Sequence, residues 1–176
     1  VEDNRFRECG GGIYAENATL NIIGTTISNN KGFPYRSDEN DGGAIYAENC
    51  KTIIKGSFVT YNNGDYRGGI YIRGGSLVEI DGSTISNNTN DPALTDSQQV
   101  AIEKVGEVVM VGNTIESAGD GVIIEDGVII EGSDKVVFVG NTLKHLDRTV
   151  YTYSVNSIVF TGNKIYDCRE DVGLWS

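Results

Sequence analysis

The dominant feature of this sequence is a short phrase that returns along the whole chain: a glycine or aspartate, two variable residues, then an apolar residue. The apolar positions are Phe6, Ile27, Val59, Ile85, Ile115, Leu143 and Ile165. Successive positions are separated by 21, 32, 26, 30, 28 and 22 residues, about the length of one coil of a stacked β-solenoid. The repeat therefore predicts coils that bury one continuous core.

The composition agrees with short strands joined by tight turns. The chain has 23 glycines against two prolines, many Asn, Asp, Ser and Thr residues, and no helix-forming runs. We expect an all-β fold with almost no helix and one domain over residues 1–176. Because both ends of the sequence fall inside coils without a polar cap, we also expect a segment of a longer solenoid. Its uncapped ends would then meet flanking domains or other copies of the chain.

The charge narrows the range of partners. A formal net charge of −11 argues against nucleic acids and anionic membrane surfaces, because both require a basic surface. No stretch approaches the ~20 apolar residues of a membrane-spanning helix. Cations, polysaccharides and other surface macromolecules are the expected partners.

Each coil divides into three predicted strands. The first contains the apolar position of the phrase and is followed three residues later by Asn30, Asn62 or Asn88 in three coils, and by Cys9, Ala118, Leu146 or Cys168 in others. Stacked asparagines can satisfy each other and the backbone at a turn. The second strand is predicted at 12–14, 44–46, 69–71, 100–101, 121–123, 150–151 and 174–175.

The third strand shows the clearest alternation of apolar and polar residues. It is predicted at 20–23, 52–55, 78–81, 108–111, 136–139 and 158–161. Alternation predicts an inward column of Ile22, Ile54, Ile80, Met110, Phe138 and Phe160. On the outward face, the late coils carry Val109, Val111, Val137, Val139 and Val159. An apolar outer face needs a cover.

Three segments break the regular spacing and are interpreted as insertions, at 31–42, 89–99 and 126–135. Such loops commonly carry the function of a repeat protein. Val128, Ile129 and Ile130 make the third insertion one candidate cover for the valines, and a partner subunit is the other.

The three cysteines are expected to remain free thiols. Cys9 and Cys168 are placed at the same repeat position, but six coils of ~4.8 Å would separate them by roughly 29 Å, far beyond the reach of a disulfide. Cys50 is assigned to a different turn.

The repeats resemble two known groups. Gly11-Gly12-Ile13-Tyr14, Gly42-Gly43-Ala44-Ile45 and Gly68-Gly69-Ile70-Tyr71, together with the I/V-x-x-N phrases, resemble the GGAI and FxxN repeats of polymorphic outer-membrane-protein passenger domains. The later Gly-Asn-Thr-Ile phrases resemble repeats of the pectate-lyase-like superfamily. This resemblance implies a single-stranded right-handed parallel β-helix, a three-sheet solenoid of about seven coils, in a secreted or cell-surface protein.

A column of aromatic residues is predicted on the outer face of the second strands. The proposed carbohydrate-binding residues are Tyr14, Tyr46, Tyr71, Tyr151 and Trp175, with Glu16, Glu48 and Arg73 two positions further along their strands. Glu125 and Tyr153 continue this second column. Aromatic rings at strand spacing can form a platform for sugar rings, while charged groups bond their hydroxyls. The alternative is that the rings stabilise the solenoid by cross-strand pairing.

A second candidate site is acidic. Asp120, Asp147 and Asp171 are placed in loops of successive coils, where stacked carboxylates repel one another unless a cation lies between them. They are the predicted Ca²⁺ ligands. By resemblance to pectate-lyase-like enzymes only, Arg148 or Lys144 would act as the base of a calcium-dependent lyase. The alternative is a solvated acidic edge.

The hydrolase arrangement of β-helix galacturonases needs clustered aspartates with a histidine, and the chain has one histidine, His145. His145 is interpreted as an exposed residue at the end of a strand, with no catalytic role.

The leading functional interpretation is a non-catalytic, adhesin-like β-helix module that binds carbohydrate or another macromolecule. A calcium-dependent polysaccharide lyase, or a related uronan-acting enzyme, is the first alternative. A structural stalk or filament segment is the second.

Overall fold

Three long parallel β-sheets make up the molecule. The computed structural model describes residues 1–6, 10–32, 42–64, 67–89, 97–117, 125–170 and 172–175. The first sheet contains β4 (Thr26–Ser28), β8 (Phe58–Thr60), β11 (Thr84–Ser86), β14 (Thr114–Glu116), β17 (Thr142–Lys144) and β20 (Lys164–Tyr166). The second contains β2 (Ile13–Glu16), β6 (Ile45–Glu48), β9 (Ile70–Arg73), β12 (Ser97–Glu103), β15 (Glu125–Glu131), β18 (Val150–Tyr153) and β21 (Gly173–Leu174). The third contains β3 (Thr19–Ile23), β7 (Lys51–Lys55), β10 (Leu77–Asp81), β13 (Glu107–Val111), β16 (Lys135–Val139) and β19 (Ser157–Thr161).

This arrangement confirms the predicted three-sheet parallel solenoid. Every strand of a sheet pairs in parallel with the equivalent strand of the next coil, so the three strands of one coil run through three different sheets. Six strands stack in the first and third sheets and seven in the second, close to the expected seven coils. A separate two-stranded sheet pairs β1 (Arg5–Phe6) with β5 (Lys31–Gly32). The described residues contain no helix long and apolar enough to span a membrane.

The core is the predicted inward column of the third sheet together with apolar residues of the other two. The backbone register places equivalent residues of neighbouring coils directly opposite each other, as Ile54 with Ile80 and Ile80 with Met110. The buried members are Ile22, Ile54, Ile80, Met110 and Phe138. Phe160 is partly buried and stacks on Phe138 with 5.4 Å between ring centroids. Each buried side chain contributes roughly 1.5–3 kcal/mol, so the column is a major source of stability.

The glycine of the repeated phrase turns the corner between the third and first sheets. Gly24, Gly56, Gly82, Gly112, Gly140 and Gly162 have φ between 53° and 67°. An added Cβ at Gly24 would meet no atom within 4 Å, so the backbone conformation, and not lack of space, favours glycine. Asn29 and Asn87 adopt the same left-handed conformation at another corner.

Asparagines stack inside the turns, as predicted for Asn30, Asn62 and Asn88. The amide of Asn30 donates to Asn62 Oδ1, and that of Asn62 donates to Asn88 Oδ1, each at 2.8 Å. The ladder extends further than predicted, because Asn4 donates to Asn30 and Asn88 donates to Gln99. A second ladder, not predicted, joins the Asn residues of the G-N-T/K phrases, Asn113 to Asn141 and Asn141 to Asn163.

The first coil differs from the predicted alignment. Phe6 pairs with Gly32, whereas Glu2 pairs with Ser28, so residue 1 and not Phe6 is equivalent to Ile27. Asn4 then takes the ladder position predicted for Cys9, which itself lies outside the described residues. The error arose because the phrase Asp3-Asn4-Arg5-Phe6 satisfies the same local pattern just downstream of Val1.

The fifth coil also differs. Its second-sheet strand is β15, not the predicted 121–123, which lie outside the described residues. Residues 126–131 are therefore part of a sheet strand, and Val128 and Ile130 are buried in the core. The prediction that an insertion at 126–135 covers the outer valines is wrong. Val109 and Val137 are half-buried and Val159 is exposed, and their cover by a partner chain remains a prediction.

Among the described cysteines, both are free thiols. Cys50 is buried, and Cys168 is partly buried, which raises the pKa of its thiol.

Candidate functional site

Two early rings of the aromatic column, Tyr46 and Tyr71, are more buried than predicted. Tyr14, Tyr46 and Tyr71 lie opposite one another on the outer face of the second sheet. Tyr14 stacks parallel on Tyr46, but Tyr71 meets Tyr46 at an interplanar angle of 72°. Only 8% of Tyr46 and 4% of Tyr71 is exposed. The prediction of an exposed flat platform is therefore wrong for these two rings, whose faces serve cross-strand packing.

Hydrogen bonds tie the early tyrosines to the neighbouring carboxylates. The phenol of Tyr14 donates a hydrogen bond to the Glu16 carboxylate, and the phenol of Tyr46 donates one to the Glu48 carboxylate, each within a single strand. Arg73 is exposed in the same column, opposite Glu48. These contacts orient the carboxylates that are predicted to bind sugar hydroxyls.

Glu103 is the acidic residue of this column that sequence reasoning missed. Its carboxylate lies 2.8 Å from Arg67 Nη2 and accepts a 3.0 Å hydrogen bond from Tyr71. The Arg67 guanidinium also lies over the Tyr71 ring, 4.0 Å from its centroid. The available signal was the alternation of Val100, Ala101, Ile102 and Glu103, which places the glutamate on the outer face.

The structure assigns Glu131, and not Glu125, to the next position of the column. Glu131 lies opposite Glu103 on one side and Tyr153 on the other. The predicted order Arg73, Glu125, Tyr153 therefore becomes Arg73, Glu103, Glu131, Tyr153.

The late part of the aromatic column forms an exposed cluster of three rings. We call Tyr151, Tyr153 and Trp175 the aromatic cluster. Tyr153 and Trp175 are nearly parallel, with an interplanar angle of 9° and 5.2 Å between centroids. The Tyr151 ring is tilted against both. Trp175 is 48% exposed and Tyr153 40% exposed, so this cluster, unlike Tyr46 and Tyr71, offers aromatic surface to solvent. At the other end of the column Tyr14 is also exposed, at 53%.

The register of β21 explains how three rings meet. Gly173 lies opposite Tyr151 and Leu174 opposite Thr152, so Trp175 follows opposite Tyr153 and not opposite Tyr151 as predicted. A Cβ on Gly173 would come within 2.3 Å of the Trp175 ring. The absence of a side chain at Gly173 thus lets the indole contact Tyr151 as well as Tyr153.

Polar groups border the cluster. Tyr151 donates a 3.1 Å hydrogen bond to Glu170, and the Arg148 guanidinium lies 5.8 Å from the Tyr151 ring centroid. Partial burial, followed by the bond to Glu170, raises the pKa of the Tyr151 phenol. Arrangements of exposed aromatic rings with hydrogen-bonding groups at their edge can hold a sugar ring.

Both residues named as a possible lyase base form ion pairs with carboxylates. Arg148 makes two contacts with the buried carboxylate of Asp126, from Nε at 2.8 Å and from Nη2 at 2.7 Å. Lys144 forms an ion pair with Glu116, and the hydrogen bond to this carboxylate raises the pKa of its amine. A general base must be able to lose its proton near the working pH, so these environments oppose that role.

The calcium prediction remains open. Asp120 and Asp171 lie outside the described residues, and Asp147 faces Arg169 at 3.8 Å. Within the described ranges, His, Cys, Asp and Glu side chains form no group of three that could hold a metal ion. Ca²⁺ binding by Asp120, Asp147 and Asp171 therefore stays a prediction, which calorimetry on chelator-treated protein would test.

His145 occupies a left-handed turn position with φ of 56° and lies 4.0 Å from Asp167. It is half-buried at the end of β17, which agrees with its interpretation as a strand-end residue.

The fold and the repeated turns define a parallel β-solenoid. A family model described as the right-handed beta helix region matches residues 1–126. The chain therefore belongs to the right-handed β-helix family, which confirms the predicted class and its handedness. Neither the curated proteins nor the solved structures that were compared include a match.

Proposed function

We propose that this β-helix is a non-catalytic carbohydrate-binding module and that the aromatic cluster is its binding site. The observation that carries this proposal is the pair of stacked, exposed rings of Tyr153 and Trp175 on a rigid parallel sheet. Aromatic surface fixed by the backbone binds the apolar face of a sugar with little loss of conformational entropy.

The residues around the rings supply hydrogen bonds for sugar hydroxyls. The Glu170 carboxylate accepts from Tyr151, and a carboxylate has further lone pairs available for hydroxyl donors. The early residues Glu16, Glu48 and Arg73 lie on the same sheet and would extend the contact along a longer polymer.

The lyase alternative is the less favoured one, because Arg148 and Lys144 are both paired with carboxylates that stabilise their protonated forms. An extracellular or cell-surface location is part of the proposal and is supported by the likeness of the early repeats to outer-membrane passenger domains.

A fluorescence titration tests the proposed site directly, because Trp175 is the chain's one tryptophan. The protein would be titrated with soluble neutral, acidic and amino-sugar oligosaccharides, with calorimetry as a second measurement. We expect at least one class to change the Trp175 emission and to bind with measurable affinity. Replacing Trp175 or Tyr153 with alanine should weaken binding by about tenfold or more, since loss of an aromatic contact costs on the order of 1–3 kcal/mol.

Phe58→Ala is the matched control. Phe58 is also an exposed aromatic residue, but it lies on the first sheet, away from the aromatic cluster. Its removal should leave binding unchanged. If no oligosaccharide binds to the folded protein, or if binding survives loss of Trp175, the proposed site is wrong and the structural-stalk interpretation gains support.

A further inference from the structure

The outer column of the second sheet places one uncompensated carboxylate beside the aromatic cluster. Glu131 lies directly opposite Tyr153 in the neighbouring strand, about 4.8 Å away along the sheet. Its side chain is exposed, because Ile130 before it points into the core. In the part of the chain that the structure describes, no basic side chain pairs with Glu131.

Most of the other charged groups near the cluster have partners. The exposed Lys104, in the preceding coil, donates its backbone amide to the backbone oxygen of Glu131 at 2.7 Å and adds one positive charge on that side. Glu103, on the far side of Glu131, is neutralised by Arg67. Arg148, the basic residue nearest the rings, is neutralised by Asp126. Glu170 accepts a hydrogen bond from the Tyr151 phenol, which leaves the negative charge of the carboxylate in place. The border of the aromatic cluster therefore carries a net negative charge, because the two carboxylates of Glu131 and Glu170 outnumber the one amine of Lys104.

This combination selects among sugars by charge. A protonated amine is attracted both to a carboxylate and to the face of an aromatic ring, and tryptophan is the strongest such ring. A uronate would instead meet two carboxylates at the rim and a chain of net charge −11. The site thus disfavours the acidic polymers on which pectate-lyase-like enzymes act.

We propose that the aromatic cluster binds a polymer of amino sugars with free, protonated amines, and that Glu131 pairs with one of these amines. This inference rests on the proposed carbohydrate-binding function and specifies its ligand class. The stacked rings of Tyr153 and Trp175 hold the sugar face, and Glu131 provides the charge that distinguishes the amine from its acetylated form.

The experiment compares oligomers that differ only at the nitrogen. A glucosamine hexamer, an N-acetylglucosamine hexamer and a galacturonate hexamer are titrated while Trp175 emission is followed. The titration is done at mildly acidic pH, where sugar amines are protonated and ordinary carboxylates are ionised. We expect the glucosamine hexamer to bind about tenfold tighter than the acetylated hexamer, and galacturonate to bind weakest.

Glu131→Gln should reduce that tenfold preference to about threefold or less while leaving the affinity for the acetylated hexamer unchanged. Glu2→Gln is the matched control, because Glu2 is exposed and lies opposite Ser28 of the first sheet, away from the aromatic cluster. It should preserve the preference. Because Glu131 and Glu2 are both exposed, neither change should affect folding, which circular dichroism would check.

The outcomes separate the two proposals. Equal binding of the three hexamers, a preference for galacturonate, or a preference that Glu131→Gln leaves intact would overturn the amino-sugar inference and leave the carbohydrate site standing. Binding to Trp175→Ala is measured by calorimetry, because this variant has no tryptophan. Glucosamine binding that persists there would show general attraction to an acidic protein and would overturn both proposals. If none of the three hexamers binds, the amino-sugar inference is wrong. If no other oligosaccharide binds either, the proposed carbohydrate-binding function is also wrong.

Discussion

The side-chain amide of Asn62 donates a 2.8 Å hydrogen bond to Oδ1 of Asn88, one coil further along the solenoid. The same amide also donates to the backbone oxygens of Ile27 and Thr60. Asn62 Oδ1 in turn accepts from the backbone and side chain of Asn30. One buried side chain thus satisfies polar groups on three consecutive coils.

Replacing Asn62 with alanine should destabilise the protein by about 2–4 kcal/mol, because buried backbone groups would lose partners at a cost of roughly 1–3 kcal/mol each. The loss would be measured as a shift in the urea unfolding midpoint. Asn156→Ala is the control, since Asn156 makes an exposed hydrogen bond to Asp134. Equal effects of the two changes would contradict a structural role for the ladder.

Phe138 and Phe58 offer a comparison of the same substitution inside and outside the solenoid. Phe138 is fully buried and stacks on Phe160, whereas Phe58 is 54% exposed. Phe138→Ala should cost about 3–5 kcal/mol, and Phe58→Ala should change stability by about 0.5 kcal/mol or less. Chemical denaturation followed by circular dichroism would measure both. A small effect at Phe138 would show that the inward column is misassigned.

Gly173→Ala should move Trp175 without unfolding the protein. The new Cβ would lie 2.3 Å from the indole ring, which is the end of a side chain and can shift away. We expect stronger quenching of Trp175 fluorescence by acrylamide and a stability change below about 1 kcal/mol.

Gly69→Ala provides the contrasting case. There a Cβ would come within 2.1 Å of the Gln99 backbone oxygen on the next coil, and the backbone has less freedom to shift. This change should cost about 1–3 kcal/mol and leave the quenching of Trp175 unchanged. A reversed pattern, with Gly173→Ala the more damaging of the two, would contradict the position assigned to the indole.

The pairing of Lys144 with Glu116 predicts a measurable change with pH. The carboxylate raises the pKa of Lys144 above the ordinary value of 10.5, first by accepting a hydrogen bond and then by charge attraction. Since the pKa is higher in the folded than in the unfolded chain, the contribution to stability is fully present below 10.5 and is lost as the pH rises through the folded pKa.

Glu116→Gln should therefore lower the pKa of Lys144 toward its ordinary value, as followed by NMR of the amine. The stability difference from the unmodified protein should be present at neutral pH and shrink at strongly alkaline pH. Glu107→Gln, which breaks the separate Lys135–Glu107 pair, should leave Lys144 unaffected. An unchanged Lys144 titration in Glu116→Gln would refute the assigned pairing and weaken the argument against a lyase base.

The inward side of the solenoid could be predicted because it depends on local periodicity. Alternation along each third strand determined which residues are buried, and Ile54, Ile80 and Met110 stack as expected. The ladder of Asn30, Asn62 and Asn88 was equally readable, because each asparagine follows an apolar anchor at a constant spacing.

The candidate site was less predictable because it depends on pairing between distant strands. Nothing in the local sequence shows that Tyr46 and Tyr71 are covered while Tyr153 is exposed. The structure also places Trp175 opposite Tyr153 instead of the predicted Tyr151, because β21 pairs with β18 from Gly173 onward. The indole occupies the space that the missing side chain of Gly173 leaves.

The fifth coil shows most clearly which features the local sequence predicts and which depend on contacts between coils. The sequence Gly-Val-Ile-Ile-Glu occurs twice in succession, at 121–125 and 127–131, and each copy alone satisfies the apolar pattern of a second strand. In the tertiary structure the second copy forms the strand that pairs with β18. The backbone oxygen of Thr149 lies 2.4 Å from the position that a Cβ on Gly127 would occupy, so only glycine fits there. The preceding residue, Asp126, forms an ion pair with Arg148. The sequence by itself determined that a strand of this composition would form in the coil. Only contacts with the next coil decided which copy forms it, because two identical segments have the same local propensity and differ only in the neighbours they meet.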